Sequence, residues 1–118
     1  MRVLVVDDNV DSAEMLQVLL GAMGHHIELA HDGRSALALV ATLHPQVVLL
    51  DIGLPDMDGY EVARQIRARH AEPMRLIALT GWGQDEVRQK AREAGFDHHL
   101  IKPTDPEVLE RLLTESAA

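Results

Sequence analysis

Asp7, Asp8, Asp51, Thr80 and Lys102 are the residues of this 118-residue chain whose types and placement can do chemistry together. Each stands directly after a short, mostly apolar run. Val3-Leu4-Val5-Val6 precedes Asp7-Asp8, Val47-Val48-Leu49-Leu50 precedes Asp51, Leu76-Ile77-Ala78-Leu79 precedes Thr80, and His98-His99-Leu100-Ile101 precedes Lys102-Pro103. A short apolar run bounded by polar residues reads as a buried strand of a parallel sheet. Ligands of such sheets bind beyond the carboxyl ends of the strands. Three carboxylates, one hydroxyl and one ammonium therefore converge on one sheet edge. Crowded carboxylates suit a hard divalent cation, and with the ammonium and hydroxyl they make a metal-dependent phosphoryl site. Singly, each has a plainer explanation: Asp7-Asp8 as a strand-end turn or cap, Asp51 as a turn residue, Thr80 as a cap, Lys102 as a surface lysine. Their coincidence at one edge carries the reading.

The elements that must position these groups alternate strand and helix five times. Strands are predicted at Arg2–Val6, His26–Ala30, Val47–Leu50, Arg75–Leu79 and Asp97–Ile101. The first helix is predicted over Val10–Met23, with Ala13, Leu16, Leu20 and Met23 on its inner face, Asn9 or Asp8 as cap and Gly24 as stop. The second spans Arg34–Leu43 behind Asp32; the third spans Gly59–Arg69, with Asp58 and Glu61 as a capping pair. The fourth spans Gln84–Ala94 and stops at Gly95. The fifth follows a Thr104/Glu107 capping box and turns Val108, Leu109, Leu112 and Leu113 inward. This alternation demands a parallel sheet with helices on both faces. The expectation is one domain over residues 1–118, with no output domain in this chain.

Composition excludes several classes. No cysteine occurs, which removes disulfides, thiolate metal sites and cysteine nucleophiles. The net charge of −8 argues against direct binding to nucleic acid and suits a cation or a basic partner. His25-His26 and His98-His99 lack the helical spacing of zinc pairs. No apolar stretch approaches the roughly 18 residues of a membrane-spanning helix, so a soluble, cytoplasmic domain with no membrane insertion is expected.

Val5-Val6-Asp7-Asp8, Asp51 followed by Leu54-Pro55 and Met57-Asp58-Gly59, Leu79-Thr80 and Lys102-Pro103 together resemble the receiver domains of two-component response regulators, the CheY-like fold. The likeness covers essentially the whole chain. It implies a flavodoxin-like (βα)5 doubly wound fold, with a parallel five-stranded sheet in order 2-1-3-4-5 and helices on both faces. It also implies that Asp51 accepts a phosphoryl group from a histidine kinase or a histidine phosphotransfer domain. Mg²⁺, for which Mn²⁺ can substitute, would be held by Asp7, Asp8, Asp51 and the Gly53 backbone carbonyl, with Asp7 acting largely through water. Lys102 and Thr80 would stabilise the phosphoryl oxygens. The switched surface would be the fourth helix, fifth strand and fifth helix, which leaves room for a homodimer there. Arg88, Gln89, Arg92 and Glu93 fall on or near it.

The chain departs from the family at His99, where Tyr or Phe is usual. Histidine is smaller and can titrate near neutral pH, so the resemblance does not by itself carry the family's aromatic-rotamer switch onto this position, while Thr80 can still move toward the phosphoryl group. Gly53 and Trp82 occupy the two positions that influence acyl-phosphate lifetime, and Pro103 completes the Lys-Pro pair. The Leu79–Gln84 and Gly95–Pro103 stretches look like receivers fused to hybrid histidine kinases. A haloacid-dehalogenase-type phosphatase would need a second Asp where Gly53 stands, and a flavodoxin would need a Ser/Thr/Gly-rich loop after the first strand. A receiver-like binding module that works without phosphorylation is the remaining alternative.

Overall fold

The computed structural model describes residues 1–71, 73–81, 85–102 and 105–116, with the backbone alone described at 85, 86, 106 and 114–116. The elements run β1 (Arg2–Val6), α1 (Val10–Ala22), β2 (His26–Ala30), α2 (Gly33–Leu43), β3 (Val47–Asp51), α3 (Gly59–Arg69), β4 (Arg75–Thr80), α4 (Asp85–Ala94), β5 (His98–Ile101) and α5 (Pro106–Ser116). The five strands form one parallel sheet in the order β2-β1-β3-β4-β5. Among the described residues, no helix is long and apolar enough to cross a membrane.

Both faces of the sheet are covered, which explains the unbroken apolar runs of its inner strands. Successive strand residues point to opposite faces. Val3, Val5, Val47, Leu49, Ile77 and Leu79 pack with Ala13, Leu16 and Leu20 of α1 and with Leu109 and Leu113 of α5. Leu4, Val6, Val48, Leu50, Leu76 and Ala78 pack on the other side against α2, α3 and α4, through Val40, Ile66 and Ala91 among others. The two edge strands are less covered: His26 and Ile101 are exposed.

The ends of several elements differ from the sequence expectation, for local reasons. β3 and β4 each run one residue further and include Asp51 and Thr80, because the ladder continues: Asp51 pairs with Leu79 and Thr80 with Ile101. Asn9, not Asp8, caps α1, its Oδ1 accepting the Ser12 amide at 3.1 Å. Met23 lies past the last turn and is 42% exposed, so it does not join the inner face of α1. Asp58 caps α3 through the Tyr60 amide, but Glu61 turns to Arg64 and Gln65, so the reciprocal half of the capping pair does not form. At α5 Asp105 takes the Glu107 and Leu109 amides. Thr104, expected in that role, lies outside the described residues, as does Gln84 before α4.

Candidate functional site

Asp7 continues β1 by one bond: its amide donates to the Ala30 carbonyl at 3.0 Å. The chain then turns back on itself, and the Asn9 amide donates to Asp7 Oδ1 at 3.0 Å. Asp51 is fixed in the same way at the end of β3, where the Gly53 amide donates to Asp51 Oδ1 at 2.9 Å and the Ile52 amide to the Leu79 carbonyl at 3.1 Å. Gly59 closes the loop behind it. A Cβ there would stand 2.5 Å from Ile52 Cα and 2.8 Å from the Asp51 carbonyl oxygen, so the backbone approach admits only glycine. Thr80 ends β4 and accepts the Lys102 amide on its carbonyl at 2.7 Å, which carries Lys102 out of β5 toward the two carboxylates. The Lys102 ammonium donates to Asp51 Oδ2 at 2.7 Å and to Asp7 Oδ2 at 3.2 Å.

The site is poor in solvent. Asp7, Asp51 and Thr80 are the buried polar side chains among the described residues, with 1%, 8% and 4% of their surface exposed. Asp8 is exposed at the mouth. Burial pushes the Asp7 carboxyl up, an effect that the Asn9 amide and the Lys102 ammonium only partly offset. Burial alone would push Lys102 down, but the bonds and charges of Asp51 and Asp7 outweigh it, and the net direction is up. Two buried carboxylates thus share one ammonium, with a third carboxylate beside them. Asp7, Asp8 and Asp51 can each offer an oxygen within 4.8 Å of the others. An all-oxygen donor set that is short of positive charge fits a hard divalent cation such as Mg²⁺.

Of the residues singled out in the sequence, Asp7, Asp8, Asp51, Thr80 and Lys102 meet at one end of the sheet. Gly53 lies beside them; a Cβ there would stand 3.8 Å from Asp51 Oδ1, at ordinary van der Waals distance. Trp82 and Pro103 lie outside the described residues. His99 sits on the far strand opposite Ala78, half-buried, and its Nε2 is buried without a hydrogen-bond partner. With Arg88, Arg92 and Phe96 it lines a cavity of about 290 Å³ on the α4 side. Sequence reasoning missed three supporting contacts. Asn9 binds Asp7 Oδ1, His31 Nδ1 donates to the Asp7 carbonyl at 2.9 Å, and Asp56 accepts two amides of α2. Asn9 was legible only as a cap; the other two join residues too far apart in the chain to leave a local signal.

The chain matches the family model described as "Response regulator receiver domain" over residues 3–114. It is 35% identical over 116 residues to an uncharacterized 14.6 kDa protein in the sodA1 3' region of Leptolyngbya boryana, covering 98% of this chain and 88% of that protein. It is 39% identical over 117 residues to the response regulator MprA of Mycolicibacterium vanbaalenii, covering 99% of this chain but 49% of that longer protein. In structure it is similar to the chemotaxis protein CheY4 of Vibrio cholerae, with a TM-score of 0.90, 30% identity, and coverage of 98% and 97% of the two chains.

Proposed function

The chain belongs to the response regulator receiver domain family of two-component signalling, and on that premise we propose that Asp51 accepts a phosphoryl group from the phosphohistidine of a histidine kinase or a histidine phosphotransfer domain. The observation that carries the reading is the Lys102 ammonium shared between the buried carboxylates of Asp51 and Asp7. Asp51 Oδ1 is already committed to the Gly53 amide and Oδ2 to Lys102, so the carboxylate is held rigidly with its lone pairs oriented. A carboxylate oxygen attacks phosphorus in line, the bond from phosphorus to the donor imidazole breaks, and the imidazole leaves with that electron pair. Lys102 follows the charge onto the new phosphoryl oxygens, and the Thr80 hydroxyl donates to another. Asp7, Asp8, Asp51 and the Gly53 carbonyl would hold Mg²⁺, or Mn²⁺ in its place, whose charge offsets that of the carboxylates and the incoming group. The chain would promote only its own phosphorylation and, by water attack, dephosphorylation. Gly53 contributes no side chain to orient or exclude that water.

The donor must present its phosphohistidine over Asp51. Val10, at the start of α1 beside the site, and Met15 and Val18 further along are 47%, 64% and 70% exposed, and they offer an apolar surface for a helical donor. Phosphorylation would draw Thr80 inward and rearrange His99. That biases the face of α4, β5 and α5, where Arg88, Gln89, Arg92 and Glu93 are exposed and where a downstream partner or a second copy would dock.

Intact mass after incubation with Mg²⁺ and a small acyl-phosphate donor tests this. Wild type should gain one phosphoryl group; the gain should vanish without Mg²⁺ and in Asp51→Asn. No gain under any condition, together with failure to form a beryllofluoride complex, would overturn the reading.

A further inference from the structure

The β2–α2 junction, which carries none of the proposed phosphoryl chemistry, is tied to both halves of the acidic site. Asp56 lies in the loop between β3 and α3, shortly after Gly53. Its Oδ1 accepts the Gly33 amide at 2.8 Å and its Oδ2 the Arg34 amide at 3.1 Å. These are first-turn amides of α2, which no carbonyl of the same helix can reach. The side chain of Asp32, the ordinary cap of that helix, takes the Ser35 amide. The approach is close: a Cβ on Gly33 would stand 2.9 Å from Met57 Cβ and 3.0 Å from Val62 Cγ2. From the same junction His31 Nδ1 donates to the Asp7 carbonyl at 2.9 Å. The His31 ring and the Gly33 and Arg34 amides therefore tie the Asp7-Asp8 turn and the Asp51–Gly59 loop to one helix end. The loop is pinned near its start by Ile52 on Leu79, across its base by Gly59 on Ile52 at 2.9 Å, and in its middle by Asp56. Gly53 and Leu54 lie between the first pin and the last.

We propose that Asp56 is a positioning residue: anchored on the first turn of α2, it fixes the loop that presents the Gly53 carbonyl and thereby sets the affinity of the acidic site for a divalent cation. His31 supports the Asp7 turn from the same junction. The inference rests on the cation site proposed above and deepens it. A carboxylate that merely capped α2 would affect stability and leave cation binding alone. Asp56 differs because the two amides it holds belong to a different element from the loop it sits in, so the bond constrains the loop as much as the helix. Supports of this outer kind typically change metal affinity on the order of 10-fold or more when removed.

The test is a calorimetric Mg²⁺ titration well below the melting transition, with amide hydrogen exchange measured on the metal-free proteins. Wild type, Asp56→Ala, Asp56→Asn and Asp32→Ala are compared. Asp56→Ala should bind Mg²⁺ about 10-fold more weakly. Asp56→Asn, which keeps one acceptor oxygen, should fall between it and wild type. The Gly53 and Leu54 amides should exchange faster without metal in both. Asp32→Ala removes the other cap of α2 and should lower the melting temperature while leaving the Mg²⁺ affinity at the wild-type value. An Asp56→Ala affinity equal to wild type, or equal losses in Asp56→Ala and Asp32→Ala, would reduce Asp56 to a helix cap. If Asp56→Ala does not fold, Asp56→Asn decides by the same criteria. If wild type itself takes up no Mg²⁺, the cation site fails, and metal-free exchange at Gly53 decides the tether: rates unchanged in the Asp56 variants would overturn it.

Discussion

The Lys102 ammonium lies 2.7 Å from Asp51 Oδ2, and the same group reaches Asp7 Oδ2 at 3.2 Å. A single positive charge thus holds together two carboxylates from different strands. Lys102→Ala leaves both without their cation. Breaking a fully buried pair costs about 3–5 kcal/mol and an exposed one under about 1 kcal/mol. Lys102 is 33% exposed, so we expect a loss of about 1–2 kcal/mol in urea unfolding of the metal-free protein. Phosphorylation by a small donor should slow in the same variant. Unchanged stability and unchanged rate would show that the lysine serves neither role.

Removing the charge of Asp7 should have the opposite effect on stability. Burial pushes this carboxyl up, so its ionised form is costly in the folded state. Asp7→Asn keeps an oxygen for the Asn9 amide and should melt about 3–5 °C above wild type in chelator. Mg²⁺ at ten times its dissociation constant should stabilise wild type by about 1.4 kcal/mol and Asp7→Asn by less. Thermal melts in chelator and in Mg²⁺ check both statements; equal melting of the two metal-free proteins would remove the role given to burial.

Gly59→Ala should distort the site from behind. Its Cβ would fall 2.5 Å from Ile52 Cα and 2.8 Å from the Asp51 carbonyl oxygen, and both of those atoms belong to backbone that cannot turn away. Overpacking of this kind costs about 1–3 kcal/mol. The urea midpoint should fall at constant slope, and the Asp51 backbone resonances should shift.

Acid should loosen the Asp56 tether. The Gly33 amide, helped by that of Arg34, holds the Asp56 carboxyl below its ordinary value of 3.8. A depressed carboxyl contributes stability that is fully present above the ordinary value and is lost as pH falls through the lowered one. The melting difference between wild type and Asp56→Asn should therefore be constant from about pH 5 upward and close below about pH 4. A gap that persisted at lower pH would show that the ionised carboxylate is not what holds α2.

Much of the molecule was legible in the sequence because its signals are local. Unbroken apolar runs marked β1, β3 and β4, since the middle of a strand covered on both faces is filled by apolar residues. The rule that ligands gather at carboxyl ends then puts Asp7, Asp8, Asp51, Thr80 and Lys102 in one place. Caps were legible where one residue suffices, as at Asp32, and misplaced where neighbours compete. Glu61 chose Arg64 and Gln65 over the α3 cap because side chains three and four residues along a helix lie closer than the turn behind it.

The sequence by itself determined the order of elements, the two-sided sheet and the identity of the acidic and basic groups. Those depend on periodicity and residue type, which a linear chain displays. Only the tertiary structure decided how one ammonium divides between Asp51 and Asp7, how deeply Asp7 is buried, and which helix end receives Asp56. Each of these joins segments separated by 20 or more residues. Hydrogen bonds and desolvation act through space over a few ångströms, and proximity of that kind exists only once the sheet has brought its strand ends together.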